Sequence, residues 1–246
     1  MDSLAKYRGI LDEAIQLCKV YLEKAITALP YIDDIYDEID IDKDLYVINS
    51  RYMNRGYFCP SPDLEYIVTN IKRGSIVKRL SQAKNITHRY LFDKDDKMRV
   101  CETYFPKFTR SEYIFHEDNV VYGVVYNSYN RISILSVAKY DGDKIISYME
   151  TGLCYDYDIS QYYTPGLTYE ICHYEHPGHL DTEFYDISCG GILIKCIKNR
   201  YRLDENGKIV SKSIIPLQCE RIWLDGTKTV EERFADLKKP LKRILL

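Results

Sequence analysis

Three of the five histidines in this chain of 246 residues lie close together, at His173, His176 and His179. Imidazole nitrogens suit zinc, copper or nickel, so this H-x-x-H-x-x-H cluster is the first candidate for chemistry. A neighbouring cysteine or carboxylate could complete the coordination of an ion: Cys172, Glu175 or Asp181. A metal site here, with zinc as the first ion to consider, would make the protein a metal-assisted enzyme.

The spacing of these histidines does not match a known zinc motif. On a helix, residues three apart would converge, but Pro177-Gly178 interrupts helical structure. On a strand, His173 and His176 would point to opposite faces. We therefore favour a polar hairpin loop that contains histidines, expect no bound cofactor, and retain the metal site as an alternative.

No sequence motif names a reaction. The chain has neither the phosphate-binding patterns G-x-x-x-x-G-K-[ST] and G-x-G-x-x-G nor the G-x-S-x-G pattern of serine hydrolases. Carboxylates occur among tyrosine-rich stretches such as residues 154–158. General acid–base catalysis needs two such groups within reach of one substrate atom, which a sequence does not place. We predict no catalytic residue and favour a non-catalytic protein.

An acidic segment at residues 31–44 is the main candidate for binding a partner. The segment contains seven acidic residues and one basic residue, Lys43. The spacing of its isoleucines predicts a short amphipathic helix. A dense negative patch attracts a basic protein and speeds association, although a solvated helix face or a linker would have the same composition. The predicted partner-binding residues are Asp33, Asp34, Asp37, Glu38 and Asp40.

Composition narrows the class of protein. The net charge of −3 disfavours general binding to nucleic acid, which needs a basic surface. The first residues show no signal peptide, and no apolar run is long enough to span a bilayer, so we expect a cytoplasmic protein without a membrane partner. The eight cysteines are scattered without a C-x-x-C pair, which predicts reduced, half-buried thiols rather than disulfides.

Helices are predicted near both ends of the chain. Residues 3–29 have a broad apolar stripe at helical spacing, and Pro30 ends the helix. A second helix is predicted from Ser61-Pro62 to about Gly74, since serine can cap it and proline suits its first position. Near the end of the chain, Thr229-Val230-Glu231-Glu232 has the spacing of a capping box, which predicts a C-terminal helix.

The pattern between residues 84 and 224 is that of strands. Residues 120–126, 131–137 and 144–149 are rich in β-branched and aromatic types, and turn-forming residues separate them. Neighbours without intervening helices should pair antiparallel. The predicted fold is α+β and mainly β: a large antiparallel meander sheet flanked by N-terminal and C-terminal helices. We expect a helical N-terminal region at 1–80 and an antiparallel β region with the C-terminal helix at 84–246, in one structural unit.

One hairpin pattern occurs three times. Residues 201–210 read as a strand, a tight turn at Asn206-Gly207 and a second strand, and residues 92–99 and 140–146 have a similar order. The copy at 201–210 resembles the Tyr-Asp repeat of Rhs-type and related bacterial β-hairpin repeat proteins, over those ten residues only. By analogy, this resemblance implies a protein of the bacterial toxin–immunity type.

The function predicted from the sequence is a non-catalytic protein-binding module. Its 24 tyrosines support contact with a protein, because tyrosine provides a large amphipathic surface at low entropic cost. The expected partner is a protein, for which a basic surface would suit, and the specific version is an immunity protein that neutralises a bacterial toxin. Two alternatives remain: the metal-assisted enzyme, and a structural subunit of an assembly.

Overall fold

The protein is mostly β, with a large antiparallel sheet and one N-terminal helix, in a computed structural model. The structure describes residues 3–28, 39–51, 55–60, 73–80, 83–175, 179–188, 193–203, 205, 209–212, 217–222 and 228–233. Within these residues, no helix has both the length and the apolar character needed to cross a membrane. The predicted fold class is thus confirmed for its antiparallel sheet and its N-terminal helix.

The described residues belong to two compact units. The described residues between 21 and 137 form unit I, and those between 3 and 20 and between 138 and 233 form unit II. The boundaries fall within two elements, helix α1 (Ser3–Ala28) and strand β7 (Ile132–Asp141). Residues 1–80, predicted as helical, contain α1 and also two strands of unit I.

Unit I contains six strands besides its part of β7. Hydrogen bonding joins them in the order β6-β5-β4-β3-β1-β2, and every pair with a described register is antiparallel. The strands are β1 (Ile41–Ile48), β2 (Ser75–Ile76), β3 (Ile86–Asp93), β4 (Met98–Tyr104), β5 (Thr109–Glu117) and β6 (Val120–Tyr126). A short 3-10 helix, Gly56–Phe58, also belongs to this unit.

Unit II contains a sheet in the order β8-β11-β12-β13-β15-β16, with β14 paired to β13. A separate hairpin of two short strands, β9 and β10, lies between β8 and β11 in sequence. The strands are β8 (Lys144–Gly152), β9 (Cys154–Asp156), β10 (Gln161–Tyr163), β11 (Gly166–Glu175), β12 (His179–Ser188), β13 (Leu193–Leu203), β14 (Ile209–Lys212), β15 (Leu217–Ile222) and β16 (Lys228–Arg233).

Helix α1 contributes its first part, to residue 20, to unit II and the rest to unit I. Its buried residues are Ile10, Ala14, Leu17, Cys18, Tyr21 and Ala25, which recur at helical spacing. In unit I, the ring of Tyr21 lies 5.0 Å from that of Tyr122. In unit II, Tyr169 donates a 2.8 Å hydrogen bond to Glu13. The predicted helix at 3–29 is confirmed over residues 3–28, and Leu29 lies outside the described residues.

The turn between β3 and β4 shows why the predicted hairpins form. One oxygen of Asp93 accepts hydrogen bonds from the backbone N–H groups of Asp95 and Lys97, each at 3.0 Å. Asp96 takes the left-handed conformation, with φ of 57°, which short polar residues tolerate. Asn127 makes the equivalent pair of bonds in the turn between β6 and β7. Both turns were predicted from their polar sequences.

Two helix predictions need correction. The segment expected to continue an acidic helix towards residue 44 becomes β1, so the strands begin at Ile41 rather than near 84. The capping box at 229–232 is wrong, because residues 228–233 form β16 and pair with β15. Pairing satisfies the backbone groups that a helix would otherwise satisfy, and the β-branched Thr229 and Val230 suit a strand. The helices predicted at 61–74 and after residue 233 lie largely or wholly outside the described residues.

Candidate functional site

The predicted histidine cluster lies on the β11–β12 hairpin. In the register of the two strands, His173 is opposite Asp181 and Glu175 is opposite His179. Because side chains alternate between the faces of a sheet, these four positions share one face. His173 is exposed, whereas His176 lies outside the described residues.

The described part of this hairpin does not form a metal site. Among the residues that the structure describes, no three histidine, cysteine, aspartate or glutamate side chains are placed to hold an ion. Neither His176 nor the side chain of Glu175 is among them. Zinc binding by His173, His176 and His179 therefore stays a prediction.

Most of the predicted acidic patch falls outside the described residues. Asp33, Asp34, Asp37 and Glu38 lie within the segment 29–38 that the structure does not describe, whereas Asp40 is described and exposed. The role of these five residues in binding a partner stays a prediction.

A buried ion pair in unit I is the strongest polar cluster that the sequence analysis missed. The Arg55 side chain is fully buried and that of Glu112 is 11% exposed. Arg55 Nε donates to Glu112 Oε1 at 2.8 Å, and Arg55 Nη2 donates to Ser136 Oγ at 2.6 Å. Ser136 completes the triangle by donating to the same Glu112 oxygen at 2.9 Å. The three side chains thus form one closed network.

Backbone geometry makes room for this network. Arg55 has a left-handed backbone, with φ of 48°, and its carbonyl oxygen accepts a 2.9 Å hydrogen bond from Tyr90. On β6, a Cβ at Gly123 would overlap the Glu112 carboxylate and lie 2.6 Å from Arg55 Nη2. Glycine within a strand often marks such a close approach. Because Arg55 is fully buried and Glu112 is only 11% exposed, we assign this network a structural role in unit I rather than the binding of a substrate.

His88 is a second buried polar residue beside the network. Its ring stacks on Tyr90 at 6.0 Å and is 1% exposed as a residue. Its Nδ1 lies 3.1 Å from Thr87 Oγ1. Burial, with a smaller contribution from the positive charge of Arg110, lowers the pKa of His88 to about 4. This histidine is therefore neutral at physiological pH and has no access to a substrate from solvent.

The most exposed aromatic cluster lies on the β9–β10 hairpin of unit II. Tyr157, Ile159 and Tyr163 are 67%, 62% and 52% exposed, and they are three of the nine large hydrophobic residues found exposed in the described chain. Tyr155 lies between them and contacts the rings of Tyr157 at 5.3 Å and Tyr162 at 4.9 Å, both edge-on. We call residues 154–163 the tyrosine hairpin.

Local hydrogen bonds fix the shape of the tyrosine hairpin. At its tip, Asp156 Oδ1 accepts hydrogen bonds from the backbone N–H groups of Asp158 at 2.9 Å and Ile159 at 3.4 Å. At its base, the buried Thr151 contacts Thr164 and donates to the carbonyl of Gly166 at 2.9 Å. The aromatic side chains are thus presented from a backbone that is held at both ends.

Sequence signals for these features existed. The run Tyr155-Asp156-Tyr157-Asp158 combines large aromatic residues with turn formers, as a binding loop does. Gly123 interrupts a strand that is otherwise β-branched and aromatic, which indicates a close approach. No signal pointed to Arg55, because its partners are 57 and 81 residues away in the chain.

Comparison with known proteins gives no family for this chain. No protein family, no curated protein and no solved structure matches it. The resemblance of residues 201–210 to Rhs-type repeats stays a prediction. Strands β13 and β14 pair there as a hairpin would require, with Leu203 opposite Ile209, whereas Asn206-Gly207 lies outside the described residues.

Proposed function

We propose that this chain is a protein-binding module and that the tyrosine hairpin is its contact surface. The observation that supports this proposal is the exposure of Tyr157, Ile159 and Tyr163 together on one short hairpin. Grouped exposed aromatic residues are a property of protein interfaces, whereas single exposed apolar residues are ordinary.

The hairpin has the physical properties of an efficient contact surface. Tyrosine loses little conformational entropy on binding, and its hydroxyl group can bond to a polar partner. The Asp156 turn and the Thr151 contacts hold the backbone before any partner arrives. A pre-organised surface loses less conformational entropy on association, so it binds more tightly for the same contacts.

The charge of the hairpin favours a basic partner. Asp156 and Asp158 lie beside the exposed tyrosines, and residues 153–165 contain no lysine or arginine. Negative charge at the edge of an interface increases the rate of association with a positive protein. The acidic residues predicted for partner binding, Asp33, Asp34, Asp37, Glu38 and Asp40, would add to this attraction.

The specific version of this proposal is an immunity protein that neutralises a bacterial toxin. It rests on the Rhs-type resemblance of the hairpin at 201–210 and on a basic partner. A toxin that acts on nucleic acid would supply a basic partner, because binding phosphates needs a positive surface. A captured partner that is toxic when expressed alone, and harmless when co-expressed with this chain, would support the immunity role.

The test is affinity capture with a matched control. We expect the triple variant Tyr157→Ser, Ile159→Ser and Tyr163→Ser to capture its partner at least about tenfold less well, because aromatic anchors dominate binding energy. The control is Tyr129→Ser, since Tyr129 is 77% exposed but lies in the β6–β7 turn. Circular dichroism should show both variants folded.

Two results would contradict this proposal. Equal capture by the triple variant and the wild-type protein would remove the tyrosine hairpin from the interface. Equal losses in the triple variant and Tyr129→Ser would indicate general adhesion of exposed tyrosine rather than a specific surface. Charge reversal of Asp33, Asp34, Asp37 and Glu38 tests the acidic patch separately.

A further inference from the structure

A pocket in unit I is lined by residues whose charges favour a positively charged ligand. It has a volume of about 370 Å³, which falls within the range of small-molecule sites. Its described lining comes from the β3–β4 turn, from β4 and β5, from Ala28 of α1, and from Ile39 and Asp40. Its aromatic and aliphatic lining consists of Ala28, Ile39, Tyr113, Ile114 and Phe115.

The charges around this pocket are predominantly negative. Its polar lining contains Asp40, Asp93 and Asp95 against two cations, Lys94 and Arg99. Asp93 is already used, because its oxygens accept two backbone N–H groups and lie 3.5 Å from Arg99 Nη1. In the described chain, the carboxylates of Asp40 and Asp95 form no hydrogen bond or ion pair.

The described lining is short of positive charge. Arg99 lies beside Asp93, so Lys94 is the one other cation among the described lining residues, against the carboxylates of Asp40 and Asp95.

We propose that this pocket binds an organic cation: a primary ammonium or guanidinium group on a short apolar or aromatic stem. The charged end would lie against Asp40 and Asp95, and the stem would contact the lining formed by Tyr113 and Phe115. Aromatic rings also attract cations through their electron-rich faces. This inference goes beyond the proposed function and does not depend on the tyrosine hairpin.

The ligand chemistry could come from two sources, a free amine or a basic side chain of a bound peptide. Phenethylamine represents the first, with phenethyl alcohol as its neutral counterpart. The peptide acetyl-Gly-Arg-Gly-amide represents the second, with glutamine in place of arginine as its neutral counterpart. Binding is measured on the full chain by chemical-shift changes of backbone amides at residues 93–95 and 113–115.

Variants of equal charge separate a site from general attraction. The pocket variant is Asp40→Asn with Asp95→Asn, and the control is Asp96→Asn with Asp118→Asn. All four side chains are exposed, so both variants should fold. Asp96 pairs with Lys43 at 2.6 Å, and neither control residue lines the pocket.

We expect at least one cationic probe to shift these amides at millimolar concentration, with affinity about tenfold weaker in the pocket variant and unchanged within about twofold in the control. Binding of the amine alone would assign the site to a small molecule, and binding of the peptide alone would assign it to a partner's side chain. The proposal is overturned if neither cation binds, if a neutral counterpart binds equally well, or if both variants lose affinity equally.

Discussion

Arg55 shows how a single residue can organise the interior of unit I. It is fully buried, and its charge is balanced by Glu112 and by a hydrogen bond to Ser136. Removing a charge from water costs several kcal/mol, which only a well-placed partner offsets. The absence of a Cβ at Gly123 leaves the space in which the carboxylate and the guanidinium meet beside β6.

The first prediction concerns this ion pair. We expect Glu112→Ala to lower the free energy of unfolding by about 3–5 kcal/mol, because it leaves the buried guanidinium without its counter-charge. Glu117→Ala is the control, since Glu117 is also on β5 but is 38% exposed and pairs with a Lys24 that is 41% exposed. Exposed pairs of this kind contribute about 0–1 kcal/mol.

Urea denaturation of both variants measures the difference. The double variant Arg55→Met with Glu112→Leu removes both charges and should recover much of the loss, because apolar replacements of a buried pair are often tolerated. A cost for Glu112→Ala no greater than for Glu117→Ala would show that Arg55 is solvated in the folded state.

The second prediction concerns the pH dependence that His88 introduces. Its folded pKa of about 4 lies below the ordinary 6.5, so the unfolded chain binds this proton more readily. The favourable contribution of neutral His88 is complete above pH 6.5 and is lost as the pH falls towards 4. The full loss is roughly 3 kcal/mol, at about 1.4 kcal/mol for each pKa unit.

Urea denaturation at pH 7 and at pH 5 tests this linkage. The variant His88→Gln has no titrating ring, so its stability should change less between these two values than that of the wild-type protein. The partly buried His116, whose pKa burial also lowers, provides the comparison variant His116→Gln. Identical pH profiles for wild-type and His88→Gln proteins would contradict the burial of a neutral His88.

At the scale of the element, side-chain hydrogen bonds hold the turns of the unit I hairpins in one conformation. Asn127 Oδ1 accepts hydrogen bonds from the backbone of Tyr129 at 2.9 Å and Arg131 at 3.1 Å. Asn130 completes the turn with a left-handed φ of 54°. The side chain of one residue thus determines the register of β6 and β7 at this turn.

The third prediction is that Asn127→Ala destabilises this hairpin by about 0.5–1.5 kcal/mol, the usual net value of an intramolecular hydrogen bond. Asn127→Asp keeps the accepting oxygen and should stay close to wild type. Ser128→Ala, in the same turn, is the control. Thermal unfolding measures all three variants, and an effect of Ser128→Ala as large as that of Asn127→Ala would refute the role of the side-chain oxygen.

Local signals explain which elements could be predicted from the sequence. The apolar stripe of α1 includes Cys18, Tyr21 and Ala25, all of which are buried. The strands at 120–126, 132–141 and 144–152 follow β-branched and aromatic runs that turn residues separate. Helical spacing and turn chemistry are properties of a few neighbouring residues, so a single sequence displays them.

Non-local pairing explains what could not be predicted. β1 is acidic and is far in sequence from the strand with which it pairs. It is a strand because Ile41–Ile48 pairs with β3, some 40 residues later. β16 has a helix-like capping box but pairs with β15. The same limit applies to the candidate sites, since the Arg55 network and the pocket each combine residues from segments far apart in the chain.

At the scale of the whole molecule, the described cysteines are distributed over both units, so their reactivity can follow the unfolding of each unit. Cys59 and Cys101 are buried in unit I, and Cys18 and Cys172 are buried in unit II, whereas Cys154 is exposed on the tyrosine hairpin. None of these five forms a disulfide bond, which agrees for the described cysteines with the prediction of reduced thiols. Burial raises the pKa of Cys18 to about 11 and also raises that of Cys101, so the reactive thiolate is scarce in both.

The fourth prediction is a pattern of thiol labelling. In native protein, iodoacetamide should modify Cys154 rapidly and leave the four buried cysteines protected, as measured by peptide mass spectrometry. In increasing urea, we expect all four to become reactive at one common concentration. The reason is that α1 and β7 each contribute residues to both units, so loss of either element removes structure from both. Separate midpoints for the pair Cys59 and Cys101 and the pair Cys18 and Cys172 would contradict a single structural unit, and rapid native labelling of Cys101 would contradict its burial.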